Sequence, residues 1–123
     1  MKVGRKITGG KYKRPKKRKL TGRQNQTRIV RLNIPKRKLM RTRGGKTKIV
    51  SLSENEANVF SKGKSKKVTI KTVIETPSNK FLARQNILVK GAIIETELGK
   101  AKITNRPTQE SQINAILIES KSP

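Results

Sequence analysis

The distribution of charge constrains this chain more than any other feature of its sequence. The 123 residues include 32 lysines and arginines against 7 acidic residues, which gives a net charge of +25. Residues 1–50 hold 20 of these cations and no acid, whereas residues 51–123 hold 12 cations and 7 acids. Such a concentration of like charge opposes a compact fold unless a polyanion neutralises it. A basic N-terminal segment of this kind is typical of proteins that bind nucleic acid.

The residue types that are present exclude several classes of function. The chain has no histidine and no cysteine, so it cannot build a zinc finger, a thiol nucleophile or a Ser–His dyad. No apolar run is long enough to span a membrane, and the N-terminus lacks the apolar stretch of a signal peptide. We therefore predict no catalytic residues, no cofactor, no metal site, no small-molecule substrate and no membrane contact.

The chain divides into a basic tail and a folded region. Residues 1–26 show neither a helical nor a strand period, and glycine and proline interrupt them repeatedly. We predict that they form an RNA-binding tail that is disordered when free. Residues 27–119 are predicted to form the folded domain, and residues 120–123 a short C-terminal end.

Alternation of apolar and polar residues predicts short strands in the folded region. It occurs in residues 30–34, 67–74 and 100–104. A period of two places the apolar set, including Ile34 and Ile74, on one buried face. Three more continuously apolar runs are predicted to be central strands: residues 87–89, 92–94 and 113–118. We also expect the two phenylalanines, Phe60 and Phe81, to lie in the core.

Glycine and proline separate these runs and indicate how they connect. Leu98-Gly99 is typical of a tight hairpin, because glycine adopts a positive φ without strain. Short helical turns are predicted at Ser53–Glu56, which has capping-box spacing, and after Thr76-Pro77. The predicted fold is mainly β: a small barrel of short, mostly antiparallel strands, with one or two helical turns and an extended basic N-terminal tail.

Three short motifs invite a catalytic or nucleotide-binding interpretation. Gly45-Lys46-Thr47 and Gly63-Lys64-Ser65 resemble the end of a phosphate-binding loop. Such a loop needs a second glycine five positions earlier, where this chain has Met40 and Asn58 instead. Glu95 and Glu97 form a carboxylate pair that could do acid–base chemistry, but no set of nucleophile, base and orienting residue can be identified in the sequence. We interpret the glycine motifs as lysine-rich turns, and the two glutamates as exposed residues that balance lysines across a hairpin.

The basic residues carry the functional prediction. They form two dense blocks, each next to a glycine pair whose backbone amides could approach a phosphate closely. The predicted RNA-binding residues are Arg5, Lys6, Gly9, Gly10, Lys11, Lys13, Arg14, Lys16, Lys17, Arg18, Lys19, Arg23, Arg37, Lys38, Arg41, Arg43, Gly44, Gly45, Lys46, Lys48, Lys90, Lys100, Lys102 and Arg106. Since aromatic residues are few, recognition is expected to run through phosphate, sugar and shape.

Four blocks of sequence resemble a known family. They are Thr8-Gly9-Gly10 with the basic run 16–19, the segment 41–45, the segment 90–101 running on to Arg106-Pro107, and residues 113–119. Together these blocks resemble the small-subunit ribosomal protein family numbered eight in the archaeal and eukaryotic naming. Eukaryotic members carry a long central insertion that is missing here, and in this respect the chain resembles archaeal members.

This resemblance implies a β-barrel protein that binds ribosomal RNA in the small ribosomal subunit. It further implies a cytoplasmic location, small-subunit rRNA as the main partner and neighbouring ribosomal proteins as possible ones. The alternative that charge alone leaves open is a chromatin-type protein that packages DNA. Folded RNA is favoured over duplex DNA, because no amphipathic recognition helix is evident in the sequence.

Overall fold

Two small sheets make up the fold of the residues that the computed structural model describes, which are 4–13, 16–23 and 27–118. The first is a three-stranded sheet of order β1-β3-β2, formed by β1 (Arg31–Leu32), β2 (Lys36–Arg41) and β3 (Thr47–Glu54). The second is a closed barrel of five strands: β4 (Glu56–Ser61), β5 (Lys64–Glu75), β6 (Ile93–Thr96), β7 (Gly99–Ile103) and β8 (Asn114–Leu117). The described residues add one short helix, α1 (Lys80–Arg84), and a 3-10 turn at Leu20–Gly22.

Most strand pairs are antiparallel, as the sequence predicts. The exceptions are β1 with β3 and β4 with β8, and the latter parallel pair closes the barrel. The mainly β fold with a barrel and a single short helix is therefore confirmed. The β-branched and alanine side chains that alternate along the strands fill the interior with a compact apolar core. Its buried members are Val30, Ala57, Val59, Val68, Ile70, Val73, Leu88, Ala92, Ile94, Ala101, Ile103, Ile113 and Ala115.

The segment of residues 30–32, which includes β1, ties the two sheets together. The amide of Leu88 donates to the carbonyl of Val30 at 2.9 Å, and the amide of Leu32 donates to the carbonyl of Asn86 at 3.0 Å. The same segment pairs with β3 on its other side. Val30 is fully buried in the barrel core, so the three-stranded sheet is anchored to the barrel through β1.

The predicted alternation holds in β7 and fails within β5. In β7, Ala101 and Ile103 are buried while Lys100 and Lys102 are exposed. In β5, register shifts against β6 fall between Ile70 and Thr72 and between Val73 and Glu75. A bulge adds one residue to one strand and reverses the faces beyond it. Val73 is therefore buried and Ile74 is 42% exposed, so the prediction of an inward Ile74 is wrong.

A further burial prediction is wrong. Ile34 is exposed because β1 ends at Leu32 and the chain bends there. Residues 113–118 are not buried throughout: Ile113 and Ala115 face the core, whereas Ile116 and Ile118 are exposed. The strand β8 forms part of the barrel wall between β4 and β7, so one of its two faces points outward.

The two predicted helical turns have different outcomes. Ser53–Glu56 forms no helix: β3 ends at Glu54 and β4 begins at Glu56. The two capping-box residues make other contacts, because the Ser53 hydroxyl donates to the carbonyl of Ile34 at 2.6 Å and Glu56 forms an ion pair with Lys67. The second turn exists but begins later than predicted. Its N-cap is Asn79, whose Oδ1 accepts the amide of Phe81 at 3.0 Å, while Thr76 is buried upstream of the helix.

Hairpins form at the predicted glycines. Thr96 pairs with Gly99 across a turn formed by Glu97 and Leu98, and Gly99 has a φ of +123°. The β2–β3 hairpin turns at Gly44 and Gly45, with φ of +81° and +76°. Both connections are confirmed, and each uses a backbone conformation that side chains with a Cβ rarely adopt.

All described residues of the N-terminal segment, 4–13 and 16–23, are exposed. Its backbone hydrogen bonds are local: the amide of Lys6 donates to the carbonyl of Gly10 at 2.8 Å, and a short bridge pairs Arg5 with Lys11. The predicted limits of tail and domain, including the C-terminal end, remain predictions. Residues 119–123 lie outside the described residues.

Candidate nucleic-acid interface

The N-terminal arm, residues 4–23, carries the first group of predicted RNA-binding residues. Each described member of the group is exposed, and Arg14 lies outside the described residues. Gly9 turns the chain with a φ of +80° between Lys6 and Lys11. Tyr12 is half-exposed, and the Nζ of Lys6 lies 5.8 Å from the centroid of its ring. The described residues of the arm therefore present cations and one aromatic ring to solvent, and none of them is buried.

The tip of the β2–β3 hairpin carries the second group. Arg41, Arg43 and Lys46 surround the glycine turn, and the loop is closed by the amide of Thr42 donating to the carbonyl of Lys46 at 2.7 Å. A Cβ built on Gly44 or Gly45 would meet no atom within 4 Å. The backbone of the turn is thus open on the outside, where an anion could approach it.

One face of β2 combines arginines with apolar residues. Arg37, Leu39 and Arg41 alternate along the strand and share that face. Leu39 is 64% exposed, and its partner across the hairpin, Ile49, is 50% exposed. Two arginines therefore flank an exposed apolar pair on a regular strand, which holds their side chains at a fixed spacing.

A buried carboxylate fixes one of these arginines. Glu54 is only 2% exposed, and its Oε1 accepts the Nε–H of Arg37 at 2.9 Å and the hydroxyl of Ser51 at 2.7 Å. The hydrogen bond and charge of Glu54 raise the pKa of Arg37 above its ordinary value. Half of the Arg37 side chain remains exposed. Since its Nε is held, the terminal guanidinium N–H groups are left to bind an external acceptor.

The remaining predicted cations are spread over the barrel. Lys100 and Lys102 point outward from β7, and Lys100 pairs in register with Glu95 on β6. Lys90 and Arg106 lie in loops. The loop that follows Arg106 contacts the hairpin: the Nζ of Lys48 donates to the side-chain Oε1 of Gln109, and the backbone amide of Gln109 donates to the carbonyl of Arg106 at 3.0 Å. Lys48 thus contacts the loop that contains Arg106, whereas Lys100 and Lys102 belong to a separate strand.

The sequence motifs acquire structural roles that involve no chemistry. Gly45-Lys46-Thr47 and Gly63-Lys64-Ser65 both lie in hairpins and lead into strands, whereas a phosphate-binding loop leads into a helix. Glu95 is an exposed strand residue and Glu97 lies in a turn. Within residues 4–13, 16–23 and 27–118, no three acidic, histidine or cysteine side chains are grouped to hold a metal ion. No helix in the same part of the chain is long and apolar enough to cross a membrane.

Sequence reasoning missed several exposed cations. Four lysines lie on or beside the β4–β5 hairpin, and two cations lie on α1: Lys62, Lys64, Lys66, Lys67, Lys80 and Arg84. The run 62–67 was visible in the sequence as a lysine cluster around Gly63, which has a φ of +77°. The α1 cations gave no such signal, because three apolar residues separate them in the sequence.

The expectation that both phenylalanines are buried is wrong. Phe60 is 49% exposed on the outer face of β4, where it lies beside the exposed Ile116 of β8. Phe81 is 68% exposed on α1, and the Cζ of Arg84 lies 5.8 Å from its ring centroid. Phe60 follows the buried Val59 on β4 and so points outward, and α1, which carries Phe81, lies outside the five strands of the barrel. The protein therefore has aromatic surfaces that the sequence did not predict.

Comparison with known proteins places this geometry in a family. Residues 1–118 match the model of a family described as Ribosomal protein S8e. A protein of Ignicoccus hospitalis named small ribosomal subunit protein eS8 is 47% identical over 121 residues, which cover 95% of this chain and 93% of that protein. Proteins of the same name from Methanococcus aeolicus and Methanocorpusculum labreanum are each 46% identical over 119 residues. These cover 93% and 94% of this chain, and 91% and 94% of the relatives.

Proposed function

Because the chain belongs to the ribosomal protein S8e family, we propose that it is a structural constituent of the small ribosomal subunit in the cytoplasm. In this role it binds folded rRNA through phosphate contacts and holds neighbouring RNA segments together. The family is a structural one and not a family of enzymes, in agreement with the predicted absence of catalysis. Neighbouring ribosomal proteins are further partners in the assembled subunit.

A single observation carries the proposal of rRNA binding. The first 50 residues hold 20 cations and no acid, and the described cations among them are all exposed apart from Arg28 and Lys48, which are partly buried. Within the described residues, ion pairs join Arg37 to Glu54 and Lys67 to Glu56, and the seven glutamates are far too few to neutralise the rest. The uncompensated charge therefore requires an external polyanion.

The two basic groups would perform different tasks. The arm has little structure of its own, so its cations can follow the RNA surface and screen repulsion between phosphates of adjacent helices. The β2–β3 hairpin is rigid by comparison. Arg37, held by Glu54, and Arg41 on the same face would position the protein on the RNA, because phosphate contacts from a fixed frame set orientation.

A competition experiment tests this proposal against DNA packaging. The chain is bound to labelled small-subunit rRNA and challenged with unlabelled rRNA or random duplex DNA at the same salt concentration. We expect rRNA to compete at least tenfold better per nucleotide, since the arm and hairpin meet phosphates arranged by RNA tertiary structure. Equal competition by random duplex DNA would contradict the ribosomal role and favour DNA packaging.

A further inference from the structure

The helix α1 presents an aromatic ring that the fold does not use. No residue of α1 is buried, and Phe81 exposes 68% of its side chain. Arg84 lies one turn further along with its Cζ 5.8 Å from the ring centroid, and Lys80 precedes the ring directly. A phenylalanine in this setting contributes little to the core, while its face and the two cations remain open to a ligand.

The same helix borders a groove against the end of β5. The residues that line the groove include Thr72, Val73 and Glu75 of β5, Lys80 and Arg84 of α1, and Asn86. Glu75 is the only acid among these residues, against the two cations of α1. The groove therefore carries a net positive charge next to the exposed ring, which suits an anionic ligand that also has an aromatic part.

A fixed hydrogen-bond donor lies in this groove. The Oδ1 of Asn86 accepts the amide of Val73 and the hydroxyl of Thr72, both at 3.2 Å. These bonds orient the amide group, so its Nδ2 hydrogens remain as donors. Asn86 holds a positive φ of +51°, a conformation uncommon for residues other than glycine. The position of the donor is thus set by the backbone and by two hydrogen bonds.

From these observations we propose that Lys80, Phe81 and Arg84 form a stacking platform for an unpaired nucleotide of folded RNA. The base stacks on the ring of Phe81, the adjoining phosphates contact Lys80 and Arg84, and Asn86 offers a donor to an acceptor on the nucleotide. The inference rests on the proposed function and extends it, because it adds a base contact to binding that otherwise runs through phosphate. An aromatic ring with neighbouring cations is the arrangement that single-stranded nucleic acid recognises.

Charge decides between RNA and a protein as the occupant. A protein ligand would need acidic residues to meet Lys80 and Arg84 together with an apolar group for Phe81. Folded rRNA supplies both a phosphate chain and flat bases in one ligand. A chain with a net charge of +25 that meets RNA elsewhere also holds the RNA close to this surface.

Variants of the full chain test the platform by binding to small-subunit rRNA. Phe81→Ala should weaken binding about tenfold, a typical effect for the loss of one stacked base. Since the ring is uncharged, the dependence of affinity on salt should not change. Arg84→Gln should weaken binding and also reduce the log–log salt slope by roughly 0.7 to 0.9. The matched control is Phe60→Ala, which removes a half-exposed ring from β4 and should change affinity less than twofold.

Two further measurements separate the possible outcomes. Thermal unfolding of Phe81→Ala should match that of the unchanged chain, since the ring is mostly exposed. Ultraviolet cross-linking should join Phe81, and not Phe60, to an unpaired nucleotide.

If Phe81→Ala binds rRNA as well as the unchanged chain does, the platform is wrong and the proposed function stands. If Phe81→Ala binds rRNA normally but fails to enter small subunits assembled with other ribosomal proteins, α1 contacts protein and the inference is overturned. If the unchanged chain does not prefer rRNA, both fail.

Discussion

Glu54 shows how a single residue can set the geometry of a binding surface. A buried carboxylate is costly unless it is paired and hydrogen-bonded. Here Arg37 and Ser51 both donate to the same oxygen, and the arginine is left with its outer edge in solvent. The contact spans 17 residues of sequence, so it joins the start of β2 to the end of β3. It stabilises the hairpin and orients a guanidinium at the same time.

Replacing Arg37 tests the structural half of this role. Arg37→Gln removes the charged partner of Glu54 and should lower the free energy of unfolding by about 1–2 kcal/mol, because a buried carboxylate keeps only Ser51. The matched control is Arg41→Gln, on the same face of β2. Arg41 forms no ion pair with a described residue, so its change should stay within about 0.5 kcal/mol. Chemical denaturation measures the free energy of unfolding of the two variants. An equal decrease in both would contradict the stabilising role of the Arg37–Glu54 pair.

The pH dependence of that difference follows from the direction of the pKa shift. The pKa of Arg37 is raised in the folded protein, so the stabilisation is fully present below the ordinary arginine pKa and is lost only as the pH rises through the folded value. The difference between Arg37→Gln and the unchanged chain should therefore stay constant between roughly pH 6 and pH 9.

At the scale of elements, the bulges in β5 decide which side chains fill the barrel. Before the first register shift Val68 and Ile70 point inward, and after it Val73 points inward while Ile74 points out. The shifts also bring the amide of Val73 to Asn86 and so connect the strand to the segment after α1. A twelve-residue strand bends in this way to close a small barrel.

Alanine replacements at adjacent positions test the inversion. Val73→Ala should lower the free energy of unfolding by about 1.5–2.5 kcal/mol, because it removes two buried methyl groups from the core. Ile74→Ala removes a larger but half-exposed side chain and should lower it by about 0.5 kcal/mol. Strict alternation along β5 predicts the opposite order. Denaturation curves that show Ile74→Ala as the more damaging change would contradict the bulged register.

Local patterns predicted most of the elements and failed where tertiary contacts intervened. The alternation in β7 and the glycines at positions 44, 45 and 99 predicted strands and hairpins correctly, because these signals depend on neighbouring residues alone. The capping-box spacing at Ser53–Glu56 failed because Ser53 donates to the carbonyl of Ile34 and Glu56 pairs with Lys67, contacts that local spacing does not show. The exposed Phe81 could not be predicted, since hydrophobic type alone does not show that the core is already full.

At the scale of the whole molecule, the fold and the charge serve different purposes. The barrel buries small apolar side chains. All 7 acidic residues of the chain lie in residues 51–123, so the net charge of that part is modest. The first 50 residues carry the charge that we propose RNA neutralises. The sequence could predict this division because counting charges needs no structure. It could not predict that Arg37 is held by Glu54 or that Lys48 contacts the loop of Arg106, since both contacts depend on the folded chain.

Deleting the arm separates its contribution from that of the barrel. A chain lacking residues 1–26 should keep the denaturation midpoint of the full chain, because the described arm residues bury no side chain in the core. Unfolding of this truncated chain would show that the predicted boundary is wrong. The truncated chain should also bind rRNA more weakly, since 11 of the 20 cations in residues 1–50 are removed with the arm.

The salt dependence of rRNA binding tests the central claim most directly. If about eight cations contact phosphate, the full chain should show a log–log slope of about −6 to −7, and the truncated chain a clearly shallower one. Affinity should be measured for both chains on the same small-subunit rRNA over a series of salt concentrations. Equal slopes for the two chains, or a slope near zero for the full chain, would contradict the claim that the basic arm exists to neutralise RNA phosphate.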